Sequence, residues 1–89
     1  MNSSFTPEGW DDFQYWLSKK DIKIISKIAN LIKDIKRNGH EGIGHPEQLG
    51  SNLSGWWSRR IDEKNRLVYK IIDSNTIEIS QCKGHYDDK

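Results

Sequence analysis

Two periodicities divide the chain. Near the start, apolar residues recur at helical spacing: Trp10, Phe13, Trp16 and Leu17 share one face. Ile24, Ile25, Ile28, Leu31, Ile32 and Ile35 keep the same period over a longer run. Thr6-Pro7-Glu8 offers an N-cap hydroxyl, a proline suited to the first helical position and an acid set against the helix dipole. Ser18 followed by Asp21 resembles a capping box and predicts the start of a second helix, which Asn38-Gly39 stops. After Gly55 the period falls to two. WWSRRI and RLVYKII flank the polar turn Asp62-Glu63-Lys64-Asn65, and a turn at Asp73-Ser74-Asn75 leads into TIEISQC. The pattern predicts an α+β domain in which an N-terminal helical hairpin covers one face of a twisted antiparallel sheet and leaves the other open.

Between these halves, GHEGIGHPEQLGSNLSG (residues 39–55) holds five of the seven glycines. A loop of this length in a compact domain points to function or disorder, and Leu49 and Leu53 can anchor it. At the other end, strict alternation would put His85 on the same side as Ile77 and Ile79, the core side. Either Gly84 marks a bulge that re-aims the chain or pairing ends near Cys82; both free the imidazole.

Composition narrows the class. Eighty-nine residues make one domain spanning 1–89, whose four Trp, three Tyr and two Phe supply much of a small core. The single cysteine, Cys82, excludes an internal disulfide, and a zinc site needs several ligands. No apolar run suffices for a membrane span and no secretory signal opens the chain, so a cytoplasmic setting is expected. The net charge is +1, but between Trp56 and Ile72 five cations (Arg59, Arg60, Lys64, Arg66, Lys70) face two acids. Charge alone fits a solvated sheet face and also a surface that meets polyanions.

Three residues stand where structure does not demand them: Glu47 in the glycine-rich loop, Arg66 after a turn and His85 past the last strand. Together they form a set suited to RNA cleavage. An ionised glutamate (unperturbed pKa about 4.3) can accept the ribose 2′-OH proton. A guanidinium can stabilise the charge that gathers on the attacked phosphate. A histidine (unperturbed pKa about 6.5) can protonate the departing 5′-oxygen; a carboxylate and the phosphate would raise its pKa and Arg66 would lower it. RNA carries its own nucleophile, so this chemistry needs no metal or cofactor. Composition does not separate His85 from His40 or His45, and Tyr86 can stack on a base or cap the core. Adjacent strand residues face opposite ways, so one of Trp56 and Trp57 packs inside and the other is exposed or meets a partner.

The stretch HEGIGHPEQLGSNLSGWWSRRIDEKNRLVY, followed by CKGHY, closely resembles the YoeB/Txe toxins of bacterial toxin–antitoxin modules, relatives of the RelE group. The similarity runs from WDDFQYW to Tyr86. It implies a RelE-like fold and a ribosome-dependent, metal-independent endoribonuclease that cuts messenger RNA at the A site. By resemblance Glu47 is the general base, Arg66 the phosphate ligand and His85 the general acid; Tyr86, Arg59, Arg60 and Lys83 are expected at the RNA. The implied partners are a YefM-type antitoxin, the bacterial ribosome and its mRNA, and a second copy, for which Trp56 or Trp57 would serve. Gly50 stands where the family often has lysine, and Asn65 where a histidine commonly precedes the arginine. The segment NSSF (2–5) has too little apolar character to predict the family's first strand. A non-catalytic domain that blocks translation by occupancy, and a silent peptide-binding partner, are the rival readings.

Overall fold

The computed structural model describes residues 2–85. Its elements are β1 (Asn2–Phe5), α1 (Pro7–Ser18), α2 (Ile22–Asn38), β2 (Glu47–Gln48), a 3₁₀ turn (Ser51–Leu53), β3 (Trp57–Arg60), β4 (Arg66–Asp73) and β5 (Thr76–Gln81). The sheet runs β1-β5-β4-β3-β2. The hairpins predicted by period two are present, with Trp57 opposite Tyr69 in β3–β4 and Tyr69 opposite Ile79 in β4–β5.

Two strands escaped the sequence pattern. NSSF forms β1, which lies parallel to β5 from Asn2 opposite Thr76 to Phe5 opposite Ile79, so the sheet is mixed rather than wholly antiparallel. An edge strand needs only backbone bonds on one side, and Phe5 alone anchors it against Trp10 and Phe13 (ring centroids 5.7 and 5.5 Å apart). Residues Glu47–Gln48 pair with Ser58 and Trp57 as β2, too short for any periodicity to announce.

The helix caps follow local chemistry. Thr6 Oγ1 accepts the Gly9 N–H at 3.1 Å, with Pro7 opening α1. Asp21 itself caps α2, accepting the Ile24 N–H at 3.1 Å. Ser18 is therefore not the cap: it ends α1, and its hydroxyl donates to the Tyr15 carbonyl. Gly39 closes α2 at φ +67°, a conformation glycine adopts without steric cost.

Both helices lie on the same face of the sheet. Ile28, Leu31 and Ile35 of α2 meet Leu67, Tyr69, Ile77 and Ile79 in the core, where each apolar side chain contributes about 1.5–3 kcal/mol by leaving water. The apolar stripe of α1 behaves differently. Trp10 and Leu17 remain exposed, and the buried residues of α1 are Gly9, Asp12 and Trp16. Gly9 lets the helix sit directly on β5, because a Cβ there would stand 2.3 Å from the Ile79 carbonyl oxygen.

His85 leaves the core side by a bulge that lies upstream of Gly84. Tyr69 pairs with Ile79 and Val68 with Gln81, so Ser80 is an extra residue in β5. The shift turns Gln81 to the face that carries Val68, and β5 ends there. Gly84 then adopts φ +75° in the tail beyond.

Candidate active site

Rows of paired residues define the face opposite the helices. Glu47 lies opposite Ser58, Ser58 opposite Val68, and Val68 opposite Gln81. Arg60 lies opposite Arg66 in the adjoining row of the same face. Glu47 and Arg66 therefore share a face, two strands apart, and strand spacing puts the Cα atoms of Glu47 and Val68 roughly 10 Å from each other.

Arg66 emerges from a turn that Asp62 organises. Asp62 Oδ1 accepts the backbone N–H groups of Lys64 and Asn65, both at 2.8 Å, and its carboxylate also receives the Asn65 amide. Partial burial pushes the Asp62 carboxyl up, but these donors and the neighbouring Arg66 charge outweigh it and hold the group below its ordinary range. The Arg66 guanidinium folds back onto this turn. Its Nη1 donates to the carbonyls of Asp62 (2.7 Å), Glu63 (3.2 Å) and Asn65 (3.2 Å). One nitrogen is thus anchored, while no hydrogen bond from Nε or Nη2 to a described residue is seen. A guanidinium held by one corner presents a preset fork to an anion. Arg60 lies directly across from Arg66, so two cationic residues start from opposed backbone positions on this face.

The tail carrying His85 is tied to the same turn. The Arg66 N–H donates to the Gly84 carbonyl at 3.0 Å, and the Gly84 N–H donates to Asn65 Oδ1 at 2.8 Å. Gln81 Nε2 reaches the carbonyls of Lys83 and Gly84, each at 3.2 Å. Arg66 and His85 are therefore neighbours through the Gly84 peptide. His85 also lines a groove of about 550 Å³ with Tyr15, Trp16, Asn65 and Lys83. Lys83 leans over Tyr15, its Nζ 4.7 Å from the ring centroid. Tyr86 lies outside the described residues.

Arg59 requires a correction: it is not an RNA-facing cation. Its relative exposure is 0%, and all five of its N–H donors are used internally. Nε reaches the Tyr69 hydroxyl, Nη1 the Asp34 carboxylate and the Ile43 carbonyl, and Nη2 the carbonyls of Gly39 and Glu41. The hydrogen bond from Arg59 holds the Asp34 carboxyl below its ordinary range. The glycine-rich loop is thus wrapped around a buried guanidinium and fixed, with the Arg60 N–H donating to the Gly44 carbonyl at 2.7 Å.

His40 belongs to this hub. Its ring stacks on Trp57 (centroids 3.9 Å, planes 8° apart), and Nδ1 lies 3.5 Å from the Tyr69 hydroxyl. Burial first, and the Arg59 charge second, push the imidazole below its ordinary pKa, so His40 stays neutral near pH 7 and is a poor proton donor. His45 is exposed, two residues before Glu47. The tryptophan pair divides as adjacency required: Trp57 packs against the core, and Lys70 Nζ stands 4.6 Å from the Trp56 ring. Both are only partly exposed, whereas Trp10, Tyr15 and Leu17 of α1 are exposed.

The stacked His40 makes stability depend on pH. The unfolded chain binds the proton more readily than the native state, so His40 contributes stability above the ordinary imidazole pKa of about 6.5 and loses it as pH falls below. Urea unfolding at a series of pH values should show stability declining from pH 7 toward pH 5. The decline should flatten in His40→Phe, which keeps the stacked ring and removes the titration.

Among the described residues, no group of three or more His, Cys, Asp or Glu side chains is placed to hold a metal ion. Residues 5–86 match the family model for the YoeB-like toxin of the bacterial type II toxin–antitoxin system. The chain belongs to the YoeB toxin family. Toxin YoeB of Escherichia coli K12 is 48% identical over 86 residues, covering 97% of this chain and all of that protein. The YoeB of the heterotetrameric YoeB–YefM complex from Staphylococcus aureus superposes with a TM-score of 0.86 at 48% identity, over 97% of this chain and 98% of that one. The S. aureus YoeB dimer gives the same TM-score, identity and coverage. The family assigns the chain as a toxin of a type II module with the α+β fold expected from its sequence. No helix among the described residues is long and apolar enough to cross a membrane.

Proposed function

We propose that this YoeB-family toxin is a ribosome-dependent endoribonuclease whose site is formed by Glu47, Arg66 and His85. The supporting observation is the hydrogen bond from the Arg66 N–H to the Gly84 carbonyl, 3.0 Å, which brings the backbone of Arg66 beside the residue that precedes His85. Glu47 takes the proton from a ribose 2′-OH, the O2′–P bond forms, and the P–O5′ bond breaks. His85 gives the 5′-oxygen its proton, leaving a 2′,3′-cyclic phosphate and a free 5′-hydroxyl. Arg66, through the guanidinium edge that makes no hydrogen bond to a described residue, and Arg60 across from it neutralise the phosphorane-like transition state. Lys83, on the groove that His85 also lines, borders the substrate. The shallow, open face places few groups of its own on RNA, so the ribosome supplies the remaining orientation of the mRNA in the A site.

The implied partners follow from the same reading. A YefM-like antitoxin folds a disordered segment over this face and withdraws the site from RNA, and a second copy docks on the exposed apolar residues of α1. The protein acts in the cytoplasm, where its ribosomes are.

His85→Ala separates cleavage from blockade by occupancy. In primer extension on mRNA from a translation reaction, wild type should give A-site cuts only when ribosomes are present. His85→Ala should lose them by a factor of roughly 10²–10⁴. Translation arrest that persists at full strength without cut transcripts would instead establish the blocking reading.

A further inference from the structure

The segment between β5 and His85 is held by α1, and this has a bearing on catalysis. The three buried residues of α1, Gly9, Asp12 and Trp16, are spaced three and four apart, so they share one face. All three meet a single residue, the fully buried Cys82. Asp12 Oδ2 accepts the Cys82 N–H at 3.0 Å, Trp16 Nε1 donates to the Cys82 carbonyl at 2.8 Å, and the Cys82 thiol faces the Gly9 carbonyl at 3.8 Å. An apolar residue would suit that helix face better than a carboxylate, because burying a polar group is costly unless its partner is worth having. Past Gln81 the ladder of β5 no longer dictates the path of the chain, and these bonds do. They fix the peptides on both sides of Cys82, three residues before His85, while Asn65, Gln81 and the Arg66 backbone fix Gly84.

We infer that Asp12 and Trp16 are positioning residues for the His85 imidazole, a role that rests on the reading of His85 as general acid. α1 then carries a share of the catalytic geometry although its residues touch no substrate. A displacement of about 1 Å in a proton donor is enough to cost on the order of 10²-fold in rate.

The test is a double-mutant cycle in single-turnover cleavage on programmed ribosomes. Trp16→Phe removes the indole N–H and keeps most of the ring; Asp12→Leu keeps roughly the size and removes the oxygen that accepts the Cys82 N–H. Each should slow cleavage about 10–100-fold with the concentration dependence on ribosomes unchanged. In a His85→Ala background neither should slow the residual cleavage further, since both act through the same group. Equal losses in both backgrounds would mean a general role in the fold and overturn the proposal, as would wild-type rates in both variants. Should one of the two variants melt below the assay temperature, the cycle on the other decides alone. Wild-type cleavage by His85→Ala itself is a separate outcome, which removes the general-acid reading and the positioning role with it.

Discussion

On translating ribosomes, Glu47→Gln should cleave mRNA roughly 10²–10⁴ times more slowly than wild type, the loss expected when a general base is removed. Glutamine keeps the shape of the side chain and one acceptor oxygen but cannot accept the 2′-OH proton at neutral pH. Its stability should be unaffected. Glu47 is exposed, in a two-residue edge strand held through backbone pairing with Ser58 and Trp57, and surface changes of this kind stay within about 0.5 kcal/mol. The thermal midpoint and the ribosome affinity should therefore match wild type while the chemical step collapses. Cleavage at the wild-type rate would show that the base lies elsewhere, with exposed His45 the nearest substitute along the chain.

Much of this arrangement was legible in the sequence because the strong signals are periodic. The isoleucine run gave α2 its buried face, and the two polar turns gave the hairpins that bring Arg66 to the start of β4. Other features leave no such trace. β1 is polar because an edge strand spends most of its surface in solvent, so its backbone pairing with β5 has no hydrophobic counterpart. The bulge at Ser80 is a matter of one extra residue, invisible to a pattern that assumes strict alternation. Asp12 broke the apolar stripe of α1 from within, since its partner, the Cys82 N–H, lies seventy residues away. Arg59 misled for the complementary reason. It sits beside Arg60 in a basic run, and composition cannot tell a cation that faces water from one whose donors are all consumed inside. Strand parity could have raised the question: Arg59 is opposite Leu67 and so on the core side, while Arg60 opposite Arg66 is not.

Arg59→Met should lower stability by about 3–5 kcal/mol, the range seen when one partner of a buried, hydrogen-bonded charge pair is removed. The loss comes mainly from the carbonyls of Gly39, Glu41 and Ile43, which would be left without donors, each costing roughly 1–3 kcal/mol where water cannot reach it. Asp34 is partly exposed and can rehydrate, so it adds less. In a domain this small, 1 kcal/mol moves the melting temperature by roughly 4–8 °C, so thermal unfolding should fall by at least about 12 °C. Arg59→Lys should recover little of it. A lysine ammonium is compact and presents three donors from one point, whereas the guanidinium fork reaches five acceptors spread over the loop, Asp34 and Tyr69. The two variants should also lose cleavage under conditions where they remain folded, because the loop that Arg59 gathers leads directly to Pro46 and Glu47. A melting temperature within about 3 °C of wild type in Arg59→Met would mean that water or a shifted loop satisfies those carbonyls equally well, and the hub would then be dispensable for holding Glu47.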